Sequence, residues 1–214
     1  MAQLNTRNRL LDAAEQLVAQ QGYANTSLRQ IAAKAEANLA AVKYHFGSKE
    51  KLVSEMLSRR IEPLNKKRLA GLEAELNTAE KENRRPNGEK LLEAFIEPTI
   101  TFLQSREGGR HFLRMFSRIH ADPDEVIRRE FLKHMVPVFL RFLEGLKKAL
   151  PEIGPEKLVA RLIFCIGAMG HGASMLVDED LCKHGPELGL PPVLASQAFL
   201  KELLGFINRG MEAK

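Results

Sequence analysis

The sequence predicts an all-α protein, and three observations carry that expectation. Apolar residues recur at helical spacing along most of the chain, no run alternates with the period of two that a half-buried strand needs, and glycines, prolines and N-capping residues fall between the periodic segments. About nine helices are expected, with no internal repeat. They divide into a small N-terminal domain, residues 1–52, and a larger helical body, residues 53–214.

The elements follow in order. Leu10, Ala13, Ala14, Leu17 and Val18 form one stripe of a first helix from Thr6 to Gln21, which Gly22 stops by taking the left-handed conformation. Thr26 and Ser27 offer N-caps to a second helix with Leu28, Ile31, Ala32 and Ala35 inward; after Asn38 the pattern resumes at Leu39, Val42 and Phe46. Ser48 caps a fourth helix, expected to reach about residue 75, with Leu52, Val53, Met56 and Leu57 facing inward. The polar stretch from Asn77 to Glu89, broken by Pro86 and Gly88, reads as a mobile connection between the two domains. Further helices are expected from Leu91 to Ser105, from Arg110 to His120, from Asp122 and Pro123 to Leu150, from Pro155 onward, and from Pro191 and Pro192 to about Gly210.

Composition narrows the function classes. The 32 Lys and Arg exceed the 27 Asp and Glu, giving +5, which suits contact with a polyanion but is common among soluble proteins. Cys165 and Cys182 lie far apart behind an N-terminus without a signal-like pattern, so free thiols in a reducing cytoplasm are expected. The apolar run from Leu158 to Val177 contains Arg161 and His171, so it reads as a buried helix and not as a membrane span. There is no nucleophile and base at catalytic spacing, no phosphate-binding glycine loop and no metal-ligand cluster; Cys182 and His184 lack partners for zinc. Neither enzyme activity nor a metal or cofactor is expected.

Residues 22–53 supply the positive signal. Two short helices joined by about four residues make a helix-turn-helix, whose second helix enters the major groove of double-stranded DNA. Such a helix needs small residues on its outer face, supplied by Ala40 and Ala41, beside Lys43, which can reach a base edge or a phosphate. Tyr44 and His45 flank the groove as phosphate ligands, and Lys49 adds charge at the dipole-favoured start of the next helix. Arg29 points out of the preceding helix; Thr26 or Ser27 serves as cap and phosphate ligand together, and Asn38 lies at the start of the recognition helix. Each of these has a plainer alternative, a solvated charge for Lys43 and Lys49 or a half-buried packing role for Tyr44. Their order and spacing together favour the DNA reading over a helical protein-interaction module without sequence-specific DNA binding.

The run Tyr44-His45-Phe46, followed by Ser48-Lys49 and Leu52, resembles the signature of the TetR family of one-component transcriptional regulators. That resemblance implies a homodimer whose N-terminal readers bind a near-palindromic operator, and whose C-terminal domains enclose an inducer cavity. By position it assigns DNA contact to Thr26, Ser27, Arg29, Lys43, Tyr44, His45 and Lys49, and core packing to Val42 and Phe46. Glu36 departs from the glycine frequent in the family's turn and would have to adopt a left-handed conformation there. The narrower run Asn38-Leu39-Ala40-Ala41-Val42 is similar to the fatty-acid-responsive, PsrA-like regulators within the family. A repressor released by a small apolar inducer, a fatty acid or an acyl thioester such as acyl-CoA, is the reading this implies.

The body offers candidates for that inducer. Phe95, Phe102, Phe112, Met115, Phe116, Ile119, Phe139 and Phe164 suit either a core or a long apolar pocket, and Pro98 and Pro137 would bend helices enough to hold them apart. Arg114, Arg118, His120 and His171 are the candidates for the polar head; Arg110, Arg114 and Arg118 share one face and read as a solvated stripe, and His171, in an apolar helix, has a satisfied structural role as its plainer alternative. For the dimer, Gly167, Gly170 and Ser174 would let another helix approach closely, and Phe199, Leu203 and Phe206 would complete the face from the last helix. Internal packing alone is the alternative for those glycines.

Overall fold

The computed structural model describes residues 2–104, Phe112, and residues 125–175, 183–189 and 196–212. The described residues contain helices and no strand: α1 (Ala2–Gln21), α2 (Leu28–Lys34), α3 (Leu39–Phe46), α4 (Lys49–Lys81), α5 (Gly88–Gln104), α6 (Glu125–Ala149), α7 (Pro155–Met175) and α8 (Ser196–Glu212), with a 3-10 turn at Pro186–Leu188. Phe112 is helical; the rest of the helix expected over 110–120, and the caps expected at Asp122 and Pro191, lie outside the described residues. None of the described helices is long and apolar enough to cross a membrane.

The chain divides into two compact units, one of residues 1–63 with 110–135, the other of residues 64–109 with 136–214. This differs from the expected cut after residue 52. The inward stripe of α4 continues past Leu52 through Met56, Leu57 and Ile61, all buried, so one further turn and more of that helix packs with the N-terminal elements. Helical periodicity alone carries no mark of where such a stripe changes partners.

In the first unit α1, α2 and α3 pack on one another around Leu10, Leu11, Ala14, Val18, Ile31 and Val42. Helices of seven and eight residues are marginal in isolation, so α2 and α3 depend on this packing for their order. Buried Glu15 of α1 accepts hydrogen bonds from Arg59 and Arg60 of α4, each at 2.9 Å. The part of α6 in this unit contributes Ile127 and Phe131 to the buried set, while buried Glu130 accepts from Ser54 at 2.9 Å and Lys133 at 2.6 Å.

In the second unit the inward face of α4 runs Leu64, Arg68, Leu72, Glu75 and Ala79, and α8 packs on α5 and α7. Phe95 and Phe142 meet edge to face with ring centroids 4.9 Å apart. A Cβ on Gly71 would lie 2.8 Å from the Ala94 Cβ, so that glycine lets α4 and α5 approach closely. The stretch 77–89 departs from its expectation. Residues 77–81 continue α4, and the loop that follows lies wholly within the second unit. Glu75 holds it by accepting from Arg84 Nη1 and from the Asn87 backbone N–H, both at 2.7 Å. Asn83, at φ 48°, closes the helix end as a left-handed cap, with Arg84 N donating to Ala79 O.

Candidate nucleic-acid interface

The turn between α2 and α3 is built by local chemistry. Glu36 takes φ 49°, the left-handed conformation that its place in the motif requires. Ala37 N donates to Ala32 O and Glu36 N to Ala33 O, the paired bonds that end a helix without leaving its last carbonyls unsatisfied. On the other side Asn38 caps α3, its Oδ1 accepting from Ala41 N at 2.7 Å. Ser27 caps α2 in a full capping box, accepting from Gln30 N while its own N–H donates to Gln30 Oε1.

The recognition helix then presents two faces. Val42 and Phe46 are buried, whereas Ala40, Lys43 and Tyr44 are exposed, Tyr44 to 76%. Tyr44 is thus a large aromatic side chain left open to solvent on α3. His45 is half-buried with its ring edge-on to Tyr44, centroids 5.2 Å apart, and Ala41 is also half-buried. Arg29 is exposed on the first turn of α2, with Lys34 in its last turn. Exposed Ser27, Arg29, Lys34, Asn38, Ala40, Lys43 and Tyr44 are thus carried by one helix-turn-helix.

Two of the expected contact residues have hydrogen bonds within the protein. Thr26 is only 1% exposed, and its hydroxyl donates to Gly22 O at 2.7 Å, so its proton closes the turn after α1 and is not offered to a phosphate. Lys49 is half-buried and donates to the Tyr23 carbonyl. The capping role belongs to Ser27 because only the residue next to the helix can reach the N–H of its third position.

The expected inducer and dimer residues differ in unit and in burial. Phe95 is buried in the second unit, Phe102 and Phe139 are half-buried there, and Phe112 is buried in the first unit. Met115, Phe116 and Ile119 lie outside the described residues, as do Arg114, Arg118 and Cys182. Phe164, 71% exposed, and His171, also exposed, are corrected from pocket lining to the outer face of α7. The inner stripe of that helix is Leu158, Leu162, Cys165 and Met169, and a position two residues along from Leu162 faces away from it. Gly167 is exposed, and among the described residues no atom beyond its own stretch of helix lies within 4 Å of an added Cβ; Phe206 is 67% exposed. Gly170 and Phe199 are half-buried, Leu203 is buried, and nothing is described of the Ser174 side chain. Phe199 packs on Gly172 of its own chain, where an added Cβ would come within 2.6 Å of the ring, so internal packing accounts for that glycine.

Sequence reasoning missed Arg68. Its Nε donates to Phe95 O at 3.0 Å, Nη1 to Asn65 Oδ1 at 2.8 Å and Nη2 to Thr99 Oγ1 at 2.5 Å, and burial pushes its pKa down to about 10. The i, i+4, i+8 spacing Leu64, Arg68, Leu72 was the available signal.

Comparison with known proteins agrees with this architecture. The family model "Bacterial regulatory proteins, tetR family" matches residues 10–56, and "Tetracyclin repressor-like, C-terminal domain" matches residues 93–206. No curated protein matches by sequence. The chain is similar in fold to the fatty acid degradation regulator FadR from Bacillus halodurans, with a TM-score of 0.67 at 14% identity over 98% of this chain and 97% of that one. It is likewise similar to a putative tetR family regulator from Shewanella sp. PV-4 (TM-score 0.64, 15% identity, 94% and 95% covered). A third likeness is to a TetR-family regulator from Streptomyces coelicolor (TM-score 0.58, 21% identity, 98% and 97% covered). At these identities the likeness is one of fold.

Proposed function

Because the chain belongs to the TetR family of bacterial transcriptional regulators, we propose that it is a dimeric repressor, released from a near-palindromic operator by a small apolar ligand. The observation that carries the DNA half of this reading is the outer face of α3, where Lys43 and Tyr44 stand open while Val42 and Phe46 anchor the helix from below. Ser27, Arg29 and Asn38 would add backbone contacts that fix orientation, and Ala40 and Ala41 let α3 approach base edges closely.

Two readers would reach one face of the duplex if the dimer spaced them about 34 to 36 Å apart, or a compatible multiple. Ligand that favours another spacing lowers operator affinity, and by linkage operator lowers ligand affinity to the same degree. Helix α4 is the natural carrier, since residues 49–63 belong to the first unit and residues 64–81 to the second. A fatty acid or acyl thioester is the proposed inducer class, supported by the PsrA-like run at Asn38–Val42 and by the apolar side chains Phe95, Phe102 and Phe139 of the second unit. The fatty acid degradation regulator of B. halodurans, similar in fold, is consistent with that class.

The test begins with selection of a binding duplex from a random pool and a footprint on it. Titration of the bound complex with free fatty acids and acyl thioesters follows. A folded protein that protects no sequence overturns the proposal; a footprint indifferent to every acyl species leaves the regulator and removes the inducer class.

A further inference from the structure

Position around α3 separates its exposed side chains by role. Val42 and Phe46 form the buried edge of the helix. At helical spacing Tyr44 lies opposite that edge and Ala40 stands beside it one turn earlier, while Lys43 and His45 are roughly a quarter turn to either side. Ala40 and Tyr44 are both exposed, so the middle of the outward face is a methyl group and an aromatic ring, and the ammonium of Lys43 is at its margin. Ala40 is also the second residue of α3, in the first turn, where a recognition helix brings its side chains to base edges. That turn is held in place by Asn38, whose Oδ1 accepts from Ala41 N at 2.7 Å.

We propose that Ala40, with the Tyr44 ring one turn on, recognises the C5-methyl group of a thymine in each operator half-site, which makes it a specificity-determining residue of the reader. The inference rests on the DNA-binding reading above. In the major groove the base pairs show hydrogen-bond donors and acceptors and, at thymine alone among the four bases, a methyl group. The side chain of Ala40 can neither donate nor accept, so that methyl is the one base feature it can favour, by removing two apolar surfaces from water. The Tyr44 ring extends the same apolar strip along the helix, and its hydroxyl is still able to reach a phosphate. Lys43, at the margin, is placed for a phosphate, a contact that carries no sequence information. The plainer role of Ala40, clearance for a close approach, gives no preference for the methyl.

Uracil in place of thymine removes only that methyl and keeps the base pair. Full-length wild type, Ala40→Gly, Ala40→Gln and Lys43→Ala would be titrated on the selected duplex and on duplexes with dU for dT at one thymine at a time, placed alike in both half-sites. Circular dichroism would show each protein folded. Wild type should lose roughly three- to fivefold per half-site at one or two thymines and little at the others. That loss should not vary with salt, because the methyl carries no charge. Ala40→Gly and Ala40→Gln should bind the dT and dU duplexes alike at one of those positions, and comparing two duplexes on the same protein cancels any effect of the substitution on folding. If glycine unsettles so short a helix, glutamine, a good helix former, decides. Lys43→Ala should keep the wild-type loss while its salt slope falls by about one. Equal binding of all dT and dU duplexes by wild type would leave Ala40 a source of clearance alone and overturn the inference. A selected half-site without thymine, or a loss that persists unchanged in the folded Ala40 variants, would overturn it too. Wild type that selects no duplex would overturn the DNA-binding reading, and this inference with it.

Discussion

Tyr44 and Phe46 stand two positions apart on one short helix, the first open to water and the second in the core, and that contrast separates what binds from what folds. Truncating so exposed a residue removes little packing, so Tyr44→Ala should change stability by no more than about 0.5 kcal/mol while clearly weakening operator binding; denaturation and titration on the same sample check both. Gly71 makes the opposite case. A glycine in a helix interior is ordinarily improved by alanine by up to about 1 kcal/mol, but here the new methyl would lie 2.8 Å from the Ala94 Cβ, which has no rotamer to yield. Gly71→Ala should therefore destabilise by about 1 to 3 kcal/mol, read as a lower denaturant midpoint. Cys165, buried with its thiol pushed up to about 12, should resist alkylation at pH 8 until the protein unfolds.

Among the helices, the loop after α4 shows how local polarity misleads. Asn77 to Glu89 carries the composition of a mobile linker, yet its charges are used: buried Glu75 gathers Arg84 and the Asn87 N–H, and with Lys90 3.7 Å away its carboxyl is held below the usual carboxylate range. The hydrogen bond from Arg84 is the main cause, stronger than the opposing effect of burial. A carboxyl with a lowered folded pKa adds stability that is present above its unfolded value of about 4.3 and is lost as the pH falls through the folded value. Wild type should accordingly exceed Glu75→Gln in melting temperature near pH 7, with the difference shrinking below about pH 4 in a thermal melt series. The helix-turn-helix was legible because its signals are local: caps at Ser27 and Asn38, apolar spacing in α2 and α3, and the left-handed turn at Glu36 all act within a few residues.

For the molecule as a whole, exposed apolar side chains of the second unit bear on the proposed pairing of two copies. Ile163 and Phe164 on α7 and Phe206 on α8 are exposed, a pattern fitting the proposed pairing of two copies. Replacing Phe164 and Phe206 together by glutamate should give a folded monomer in sedimentation, with operator affinity lowered at least tenfold because each half-site is then read separately. Gly167→Ala adds a methyl that, among the described residues, meets no atom within 4 Å beyond its own stretch of helix, so the fold should gain up to about 1 kcal/mol while dimerisation weakens; an unaffected dimer would move the partner helix away from that position.

Among the described residues, the order and type of the elements, the caps at Ser27 and Asn38 and the helix-turn-helix were written in the chain, because spacing, capping and turn preference are properties of neighbouring residues. Tertiary structure decided which polar side chains are occupied and which are offered. Thr26 and Lys49 have the chemistry of phosphate ligands and are engaged by Gly22 and Tyr23, Arg68 is enclosed among Phe95, Asn65 and Thr99, and Phe164 faces outward from an apolar helix. The Thr26–Gly22 bond spans only four residues, but Lys49 and Tyr23 are 26 positions apart, and Arg68 lies 27 and 31 from Phe95 and Thr99; those groups are brought close only by folding, and no local pattern encodes their meeting.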